Sequence, residues 1–207
     1  MLDGLRQCLD REAGASTYLR LSTRAITQAP FDAALARIGE DTLRQHVLSG
    51  GYRLHEPDAH LVDEGAPRVV LAASGAIVPD VLQAAAELAS EGVAATVLNV
   101  TSADRLYAEW HASRLVGVRS ASAPAECSHL ARNLILEPER QAPIVTVLDG
   151  ASHALAFLGA VFGQPTVPLG MDRVGQSGAR ADLYSYAGID AGHIVNAALL
   201  ALNAASP

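Results

Sequence analysis

The amino-acid sequence predicts an α/β fold, an open three-layer sandwich with a mostly parallel sheet. Half of the 207 residues are hydrophobic and 18% are charged, which is enough apolar material to bury a core. Helical patterns alternate with short apolar runs, and such strand–helix–strand units form parallel sheets through right-handed crossovers. The predicted strands are Arg68–Ala73, Ala94–Val100, Ile144–Leu148 and Thr166–Leu169. Of these, Arg68–Ala73 and Ile144–Leu148 are apolar runs typical of strands buried in the sheet.

The first third of the chain has a less regular pattern. Leu2, Leu5 and Leu9 recur at helical spacing, and Thr17–Thr23 alternates and is rich in β-forming residues. The elements expected here are a helix over 2–12, a strand at Thr17–Thr23, a helix opened by Pro30, a helix at Thr42–Leu48 and a short strand at Tyr52–Leu54.

These elements suggest an incomplete unit before the main domain. One strand and three short helices cannot shield a sheet, so we expect residues 1–50 to be the truncated tail of a preceding domain. The alternative is that Thr17–Thr23 is an edge strand of the main sheet. Residues 51–66 are expected to be a linker, polar and rich in breakers from residue 55 onward, and residues 67–204 form the main domain.

The main domain has helical patterns between its strands. Pro79 suits the first turn of a helix, where its missing N–H costs nothing, and Gly92 suits the helix end. The expected helices are Pro79–Ser90, Ala103–Ser113, Glu126–Leu136, Ser152–Phe162 and Asp190–Ala204, with a possible short strand at Val116–Arg119.

Composition excludes several classes of protein. The formal net charge is −7 and no basic cluster is present, which disfavours nucleic acid as a partner. Cys8 and Cys127 are too few for a disulfide framework. The first residues do not resemble a signal peptide and no apolar run reaches transmembrane length, so we expect a cytoplasmic protein without a membrane partner.

The search for catalytic motifs finds no complete set. The turn Ala73–Ala76 has a single Gly and is not a dinucleotide fingerprint, and neither a G-x-S-x-G elbow nor a C-x-x-C pair occurs. We therefore assign no catalytic residue and no metal ligand to this chain. Ser152, His153 and Asp149 are too close in sequence to predict a catalytic triad.

Two places could still bind a ligand. His153 begins a helix behind the turn Asp149–Ser152, at the carboxyl edge of the sheet where open α/β proteins bind ligands. The alternative is an ordinary first-turn residue behind a helix cap. Arg20 and Arg24 flank the end of the expected strand Thr17–Thr23 and could hold a carboxylate or phosphate.

Three stretches in order carry a family resemblance: Gly75–Leu106, then VTVLDGASHALAFLGAVFG, then Gly170–Ala198. The specific parts are Val-Thr-Ser after the second buried strand and G-x-D-x-x-G-x-S at Gly170–Ser177. Together they resemble the C-terminal domain of the transketolase superfamily of thiamine diphosphate enzymes. The closest resemblance is to the homodimeric decarboxylating first component of pyruvate dehydrogenase.

The resemblance implies roles for several residues. Tyr18–Arg24 resembles the last strand of the preceding pyrimidine-binding domain, and Arg24 stands where transketolase relatives use an Arg to hold the anionic end of the substrate. Two loops that follow strands are expected at one edge, as the interface or the rim of the active site. Their side chains are His153, Asp172, Arg173, Gln176 and Ser177.

The resemblance also implies what the chain does. Family members bind thiamine diphosphate and Mg²⁺ through a Gly-Asp-Gly motif with a following Asn, and activate the cofactor with a Glu; neither device occurs here. We therefore expect no cofactor on this chain and no activity from it alone. It would be the structural or dimerisation domain of an enzyme that decarboxylates a 2-oxo acid such as pyruvate and passes the acyl group to a lipoyl carrier.

The expected partners are the missing N-terminal and middle domains, the other subunit of a homodimer and a lipoyl acyltransferase component. Two alternatives remain: a domain of a transketolase-type ketol transferase, and a stand-alone α/β binding or assembly module.

Overall fold

A single five-stranded sheet organises the computed structural model, which describes residues 2–121 and 128–205. The strand order is β1-β3-β2-β4-β5, in which β3, β2, β4 and β5 run parallel and β1 pairs antiparallel with β3 at one edge. The strands are β1 (Gly51–His55), β2 (Arg68–Ser74), β3 (Ala94–Val100), β4 (Ile144–Leu148) and β5 (Thr166–Gly170). The predicted α/β fold with a mostly parallel sheet is confirmed.

Helices cover both faces of this sheet. Those of the described residues are α1 (Leu2–Leu9), α2 (Ala29–Ile38), α3 (Glu40–Ser49), α4 (Ala59–Asp63), α5 (Val78–Ser90), α6 (Ala103–Ser120), α7 (His153–Ala156), α8 (Arg180–Ala187) and α9 (Ala191–Ala205). Short 3₁₀ turns occur at Gly75–Ile77, Glu137–Glu139 and Phe157–Ala160, and a π-helical turn occurs at Leu130–Leu134. None of these helices is long and apolar enough to cross a membrane.

The central strand β2 shows why its sequence is continuously apolar. Val69 and Leu71 point into one core with α5 and α9, whereas Val70 and Ala72 point into a second core with the π-helical turn. All four side chains are buried. A strand that is covered on both faces has no position for a polar side chain, and this pattern made the sheet predictable.

Two expected strands are wrong. Thr17–Thr23 is irregular backbone, with Tyr18 87% exposed, and no described strand pairs with it. The segment therefore lacks the ladder that strand-forming residues need, both as part of a separate sheet and as an edge of the main one. Val116–Arg119 lies inside α6, which continues the expected helix at Ala103–Ser113 to Ser120.

Other boundaries differ from expectation. The expected linker at 51–66 contains the whole of β1 and the short helix α4, so the sheet already begins at Gly51. Of the helix expected at Glu126–Leu136, residues 126 and 127 lie outside the described residues, and a π-helical turn occupies Leu130–Leu134. Helix α8 was not predicted.

A buried ionic network lies at the end of the sheet where the parallel strands begin. Arg53 of β1 donates to both oxygens of Glu139, at 2.6 and 2.8 Å, and to the Leu134 carbonyl at 2.7 Å. It also contacts both oxygens of Glu56, and Thr96 donates to Glu139 at 2.5 Å. Burial opposes the charge on Arg53, but its bonds to Glu56 and Glu139 raise its pKa above the usual value.

This network predicts a large effect on stability. Arg53→Met leaves Glu139 buried without its countercharge, and we expect the free energy of unfolding to fall by about 3–5 kcal/mol. The control is Arg37→Met, which removes a half-exposed bridge to Glu56 and should cost about 1 kcal/mol or less. Urea unfolding at neutral pH measures both. Equal losses in the two variants would contradict a central role for Arg53.

Candidate functional site

The carboxyl ends of three adjacent strands form the candidate site. Ser74 of β2 is level with Leu148 of β4, which is level with Gly170 of β5. The turns after β4 and β5 touch, because the N–H of Met171 donates to the Gly150 carbonyl at 2.7 Å. A Cβ on Gly170 would lie 2.5 Å from that carbonyl oxygen, so this close approach requires glycine.

Two of the predicted site residues lie together here. An oxygen of Asp172 accepts the backbone N–H of Ser152 at 2.8 Å, next to His153 at the start of α7. Hydrogen bonds from the backbone and then the hydroxyl of Ser152 lower the pKa of the Asp172 carboxyl, and nearby His153 adds a smaller effect. Asp172 therefore ties the two turns together, while His153 is exposed.

The other predicted rim residues extend outward from Asp172. Arg173, Gln176 and Ser177 are exposed in the irregular connection to α8, where the Gln176 side chain donates to the Tyr186 hydroxyl at 3.4 Å. The structure thus gathers Asp172 and His153 at the strand ends. It does not bring Arg173, Gln176 and Ser177 into the same cluster.

The irregular segment that contains Thr17–Thr23 lies across this edge, and two arginines hydrogen-bond to the turns there. Arg20 donates to the Asp149 carbonyl after β4 at 2.8 Å. Arg24 donates to the Ala76 carbonyl after β2 at 2.8 Å and to Asp80 of α5 at 2.6 Å. The Arg24 side chain is 18% exposed, so it is a part-buried ion pair facing the edge.

Sequence reasoning missed two residues of this cluster. Tyr184 of α8 is buried, and burial raises the pKa of its hydroxyl, with the carboxylates of Asp149 and Asp80 adding to the rise. Asp80 lies in the first turn of the helix after β2, which is a signal that could have been used. Tyr184 had no such signal, because α8 itself was not predicted.

The chemistry available at this edge is recognition of polar groups. Guanidinium, carboxylate, phenol and imidazole groups meet there, in an arrangement suited to binding an anionic or polar partner. Within residues 2–121 and 128–205, no group of three or more His, Cys, Asp and Glu side chains is placed to hold a metal ion.

A second cluster of titratable groups lies away from this edge. The rings of His46 in α3 and His129 are 4.8 Å apart, centroid to centroid. His129 Nε2 donates to the Gly51 carbonyl at 2.8 Å, and Asn133 donates to its Nδ1 at 3.0 Å, which assigns the proton to Nε2. His46 Nδ1 is buried without a hydrogen-bond partner among the described residues. Burial lowers the pKa of His46, with a smaller contribution from His129.

Comparison with known proteins identifies what the chain is similar to. Residues 50–190 match the family model of the transketolase-like TK C-terminal domain. The chromosomal transketolase of Cupriavidus necator is 31% identical over 197 residues, which are 95% of this chain and 24% of that protein. The plasmid transketolase of the same organism is 30% identical over 194 residues, covering 94% of this chain and 23% of that protein.

A solved structure agrees in fold. A transketolase from Leishmania mexicana superimposes on 79% of this chain and 19% of that chain, with a TM-score of 0.50 and 19% sequence identity. The chain thus spans about a quarter of the length of the curated relatives. The resemblance to the transketolase superfamily is confirmed. The closer resemblance to pyruvate dehydrogenase is not supported, and the matches favour the ketol transferase alternative.

The histidine cluster predicts a pH dependence of stability. The pKa of His46 in the folded state lies below the ordinary value of 6.5, so the fold favours the neutral imidazole. The unfolded chain therefore binds a proton more readily than the folded one. As a result, the free energy of unfolding keeps its full value above pH 6.5 and decreases as the pH falls below 6.5. We expect His46→Leu to flatten the loss of stability between pH 7 and 5, by no more than about 1.4 kcal/mol per pH unit for one proton.

Urea unfolding at several pH values measures this slope. The matched control is His60→Leu, an exposed histidine of α4, which should keep the wild-type slope. A wild-type slope in His46→Leu would contradict the prediction.

Proposed function

The chain belongs to the family of transketolase-like C-terminal domains, and from this we propose that it is the C-terminal unit of a transketolase-type ketol transferase. The match over residues 50–190 is the observation that carries the proposal. The curated relatives over 95% and 94% of the chain are both named transketolase. Because the chain corresponds to about a quarter of their length, the chemistry would require the remaining three quarters.

The edge formed by the ends of β2, β4 and β5 would be the rim of the active site. Open α/β sheets bind ligands at the carboxyl ends of their strands, and this edge carries His153, Asp172 and Arg24. The exposed loop with Arg173, Gln176 and Ser177 extends the rim toward a neighbouring domain or the second subunit of a homodimer. Residues 1–50 would then belong to the end of the preceding domain.

Thiamine diphosphate and Mg²⁺ would be bound by the rest of the enzyme. When bound, that cofactor supplies a stabilised carbanion. The chain has no Gly-Asp-Gly motif, and its described residues hold no cluster of three potential metal ligands, so they do not fit the cofactor. We therefore assign no cofactor chemistry to the residues of this chain. A lipoyl acyltransferase partner belongs only to the pyruvate dehydrogenase interpretation, and the relatives that match are both named transketolase.

Arg24 would hold the anionic end of a sugar-phosphate substrate, as the resemblance implies. Its ion pair with Asp80 supports this role, because it fixes the guanidinium at the edge in one orientation. Asp80 would then be a positioning residue that acts through Arg24.

A chimera tests the proposed function. In the chromosomal transketolase of Cupriavidus necator, the quarter that matches this chain is replaced with residues 2–207, and ketol transfer from a ketose phosphate to an aldose phosphate is measured. We expect the chimera to be active. The relative truncated before the matched quarter should have less than a tenth of the chimera's activity. A chimera that is folded but has no more activity than the truncated enzyme would refute the proposal.

The same chimera tests Arg24. Loss of a charge-assisted contact with the substrate is worth about 1.5–3 kcal/mol, so Arg24→Met should raise the KM for the phosphorylated donor about tenfold or more, with a smaller change in kcat. The control Arg37→Met removes an arginine that is paired with Glu56 at the other edge of the sheet and should leave the KM within about twofold. A KM that does not respond to Arg24→Met would exclude this role.

A further inference from the structure

A cleft of about 240 Å³ lies at the end of the sheet where the parallel strands begin. Its lining comes from Arg53 in β1, from the segment between β1 and β2, from Arg68 at the start of β2, and from the 3₁₀ turn Glu137–Glu139 with the residue before it. A strand rises roughly 3.3 Å per residue, so Arg68 is about 20 Å along β2 from Ser74 at the candidate site. A molecule bound in this cleft would not reach that site.

The carboxylates that line the cleft are already occupied. Arg53 donates to Glu139 and to Glu56, and Arg37 also donates to Glu56. The half-buried side chain of Arg68 lines the same cleft. Within the described part of the chain, this side chain has no hydrogen-bond or ion-pair partner. The cleft therefore presents a guanidinium whose donors are all available.

The charge of the cleft favours a ligand with one negative charge. The three guanidinium groups of Arg37, Arg53 and Arg68 and the two carboxylates of Glu56 and Glu139 leave a net charge of +1. A carboxylate neutralises this charge. A phosphate monoester carries about −1.5 to −2 at pH 7 and would leave the cleft negative beside two carboxylates.

Further carboxylates near the cleft do not change this balance. Asp58 and Glu137 are neighbours of lining residues in the sequence, but both are exposed and neither lines the cleft. Water and salt screen exposed charges of this kind.

The rest of the lining is apolar. It consists of Pro57, Val62, Leu136 and Pro138. A water molecule occupies about 30 Å³, so the cleft has room for a molecule of several non-hydrogen atoms. Pockets for drug-sized ligands are usually larger, about 300–1,000 Å³, which favours a small ligand with a short apolar body.

We propose that this cleft binds a small organic monoanion, a carboxylate on a short apolar chain. Arg68 donates to both carboxylate oxygens, the geometry in which a guanidinium binds a carboxylate most specifically. The apolar chain lies against Val62, Leu136 and the two prolines. The inference uses only residues of this chain and does not depend on the proposed function.

The test titrates butyrate into the ¹⁵N-labelled chain and follows the amide shifts by NMR. We expect saturable binding with a Kd of about 1 mM, and the largest shifts at the amides of Val62, Arg68 and Leu136. Butyramide has the same shape without the charge and should bind at least about fivefold more weakly. Formate has the charge without the apolar chain and should also bind at least about fivefold more weakly.

Variants test the role of Arg68. Arg68→Met keeps an unbranched side chain and removes the charge, so the Kd for butyrate should rise at least about fivefold. The matched control is Arg114→Met, an exposed arginine of α6, which should keep the Kd within about twofold. Leu136 is 40% exposed, and Leu136→Glu adds a negative charge to the lining. This second variant should also weaken binding, and it serves as the test if Arg68→Met does not fold.

Four results would overturn the proposal. They are the absence of saturable shifts up to about 50 mM butyrate, shifts centred elsewhere on the chain, butyramide that binds as tightly as butyrate, and an unchanged Kd in Arg68→Met or, where that variant does not fold, in Leu136→Glu. Ethyl phosphate is titrated in parallel. Tighter binding of ethyl phosphate than of butyrate would overturn the assignment to a monoanionic carboxylate, and weaker binding would support it.

Discussion

The parallel pairing of β2, β4 and β5 is the constraint on which the rest of the structure depends. Their last residues are level, so the turns that follow them emerge side by side although they are separated by more than seventy residues and then by more than twenty. This registration brings Asp80, Asp149 and Asp172 to one edge. It also places two main-chain carbonyls within reach of Arg20 and Arg24, which fasten the N-terminal segment across the strand ends.

Charged side chains are buried at one end of the parallel strands and accessible at the other. Where the parallel strands begin, Arg53 and Glu139 are buried and satisfy each other, and they line a cleft of about 240 Å³. Buried pairs of this kind need complete hydrogen bonding to offset their desolvation, so the role of this pair is structural. Where the strands end, Asp172 and His153 remain exposed to solvent and Arg24 is only partly buried. That edge keeps its polar groups accessible to a partner.

The sequence predicts those parts of the fold that are determined by continuous burial. Continuous apolar runs predict the buried strands. Strands that begin helical crossovers place their turns at a common edge, and Asp172 and His153 lie in two such turns. The strand predicted at Thr17–Thr23 is wrong, because an alternating pattern shows which residues could share a face and does not show whether a partner strand exists. Helix α6 buries little apart from Leu106 and Gly117, so no apolar stripe marked its full length, and β-branched residues near Val116 mimicked a strand. In α8 Tyr184 alone is buried, which left that helix without a signal.

Hydrogen bonds to the main chain hold the N-terminal segment at the candidate site. Arg20 and Arg24 fix the segment mainly through main-chain acceptors, the carbonyls of Asp149 and Ala76, which are present whatever side chains stand there. The position of the segment over the edge is therefore set by the sheet. Arg24 makes one of these contacts and is also the partner of Asp80, so the path of the backbone and the orientation of the guanidinium are set together. The arginine that the resemblance assigns to the anionic substrate therefore takes its position from the end of β2 and the start of α5, because its acceptors are the Ala76 carbonyl and Asp80.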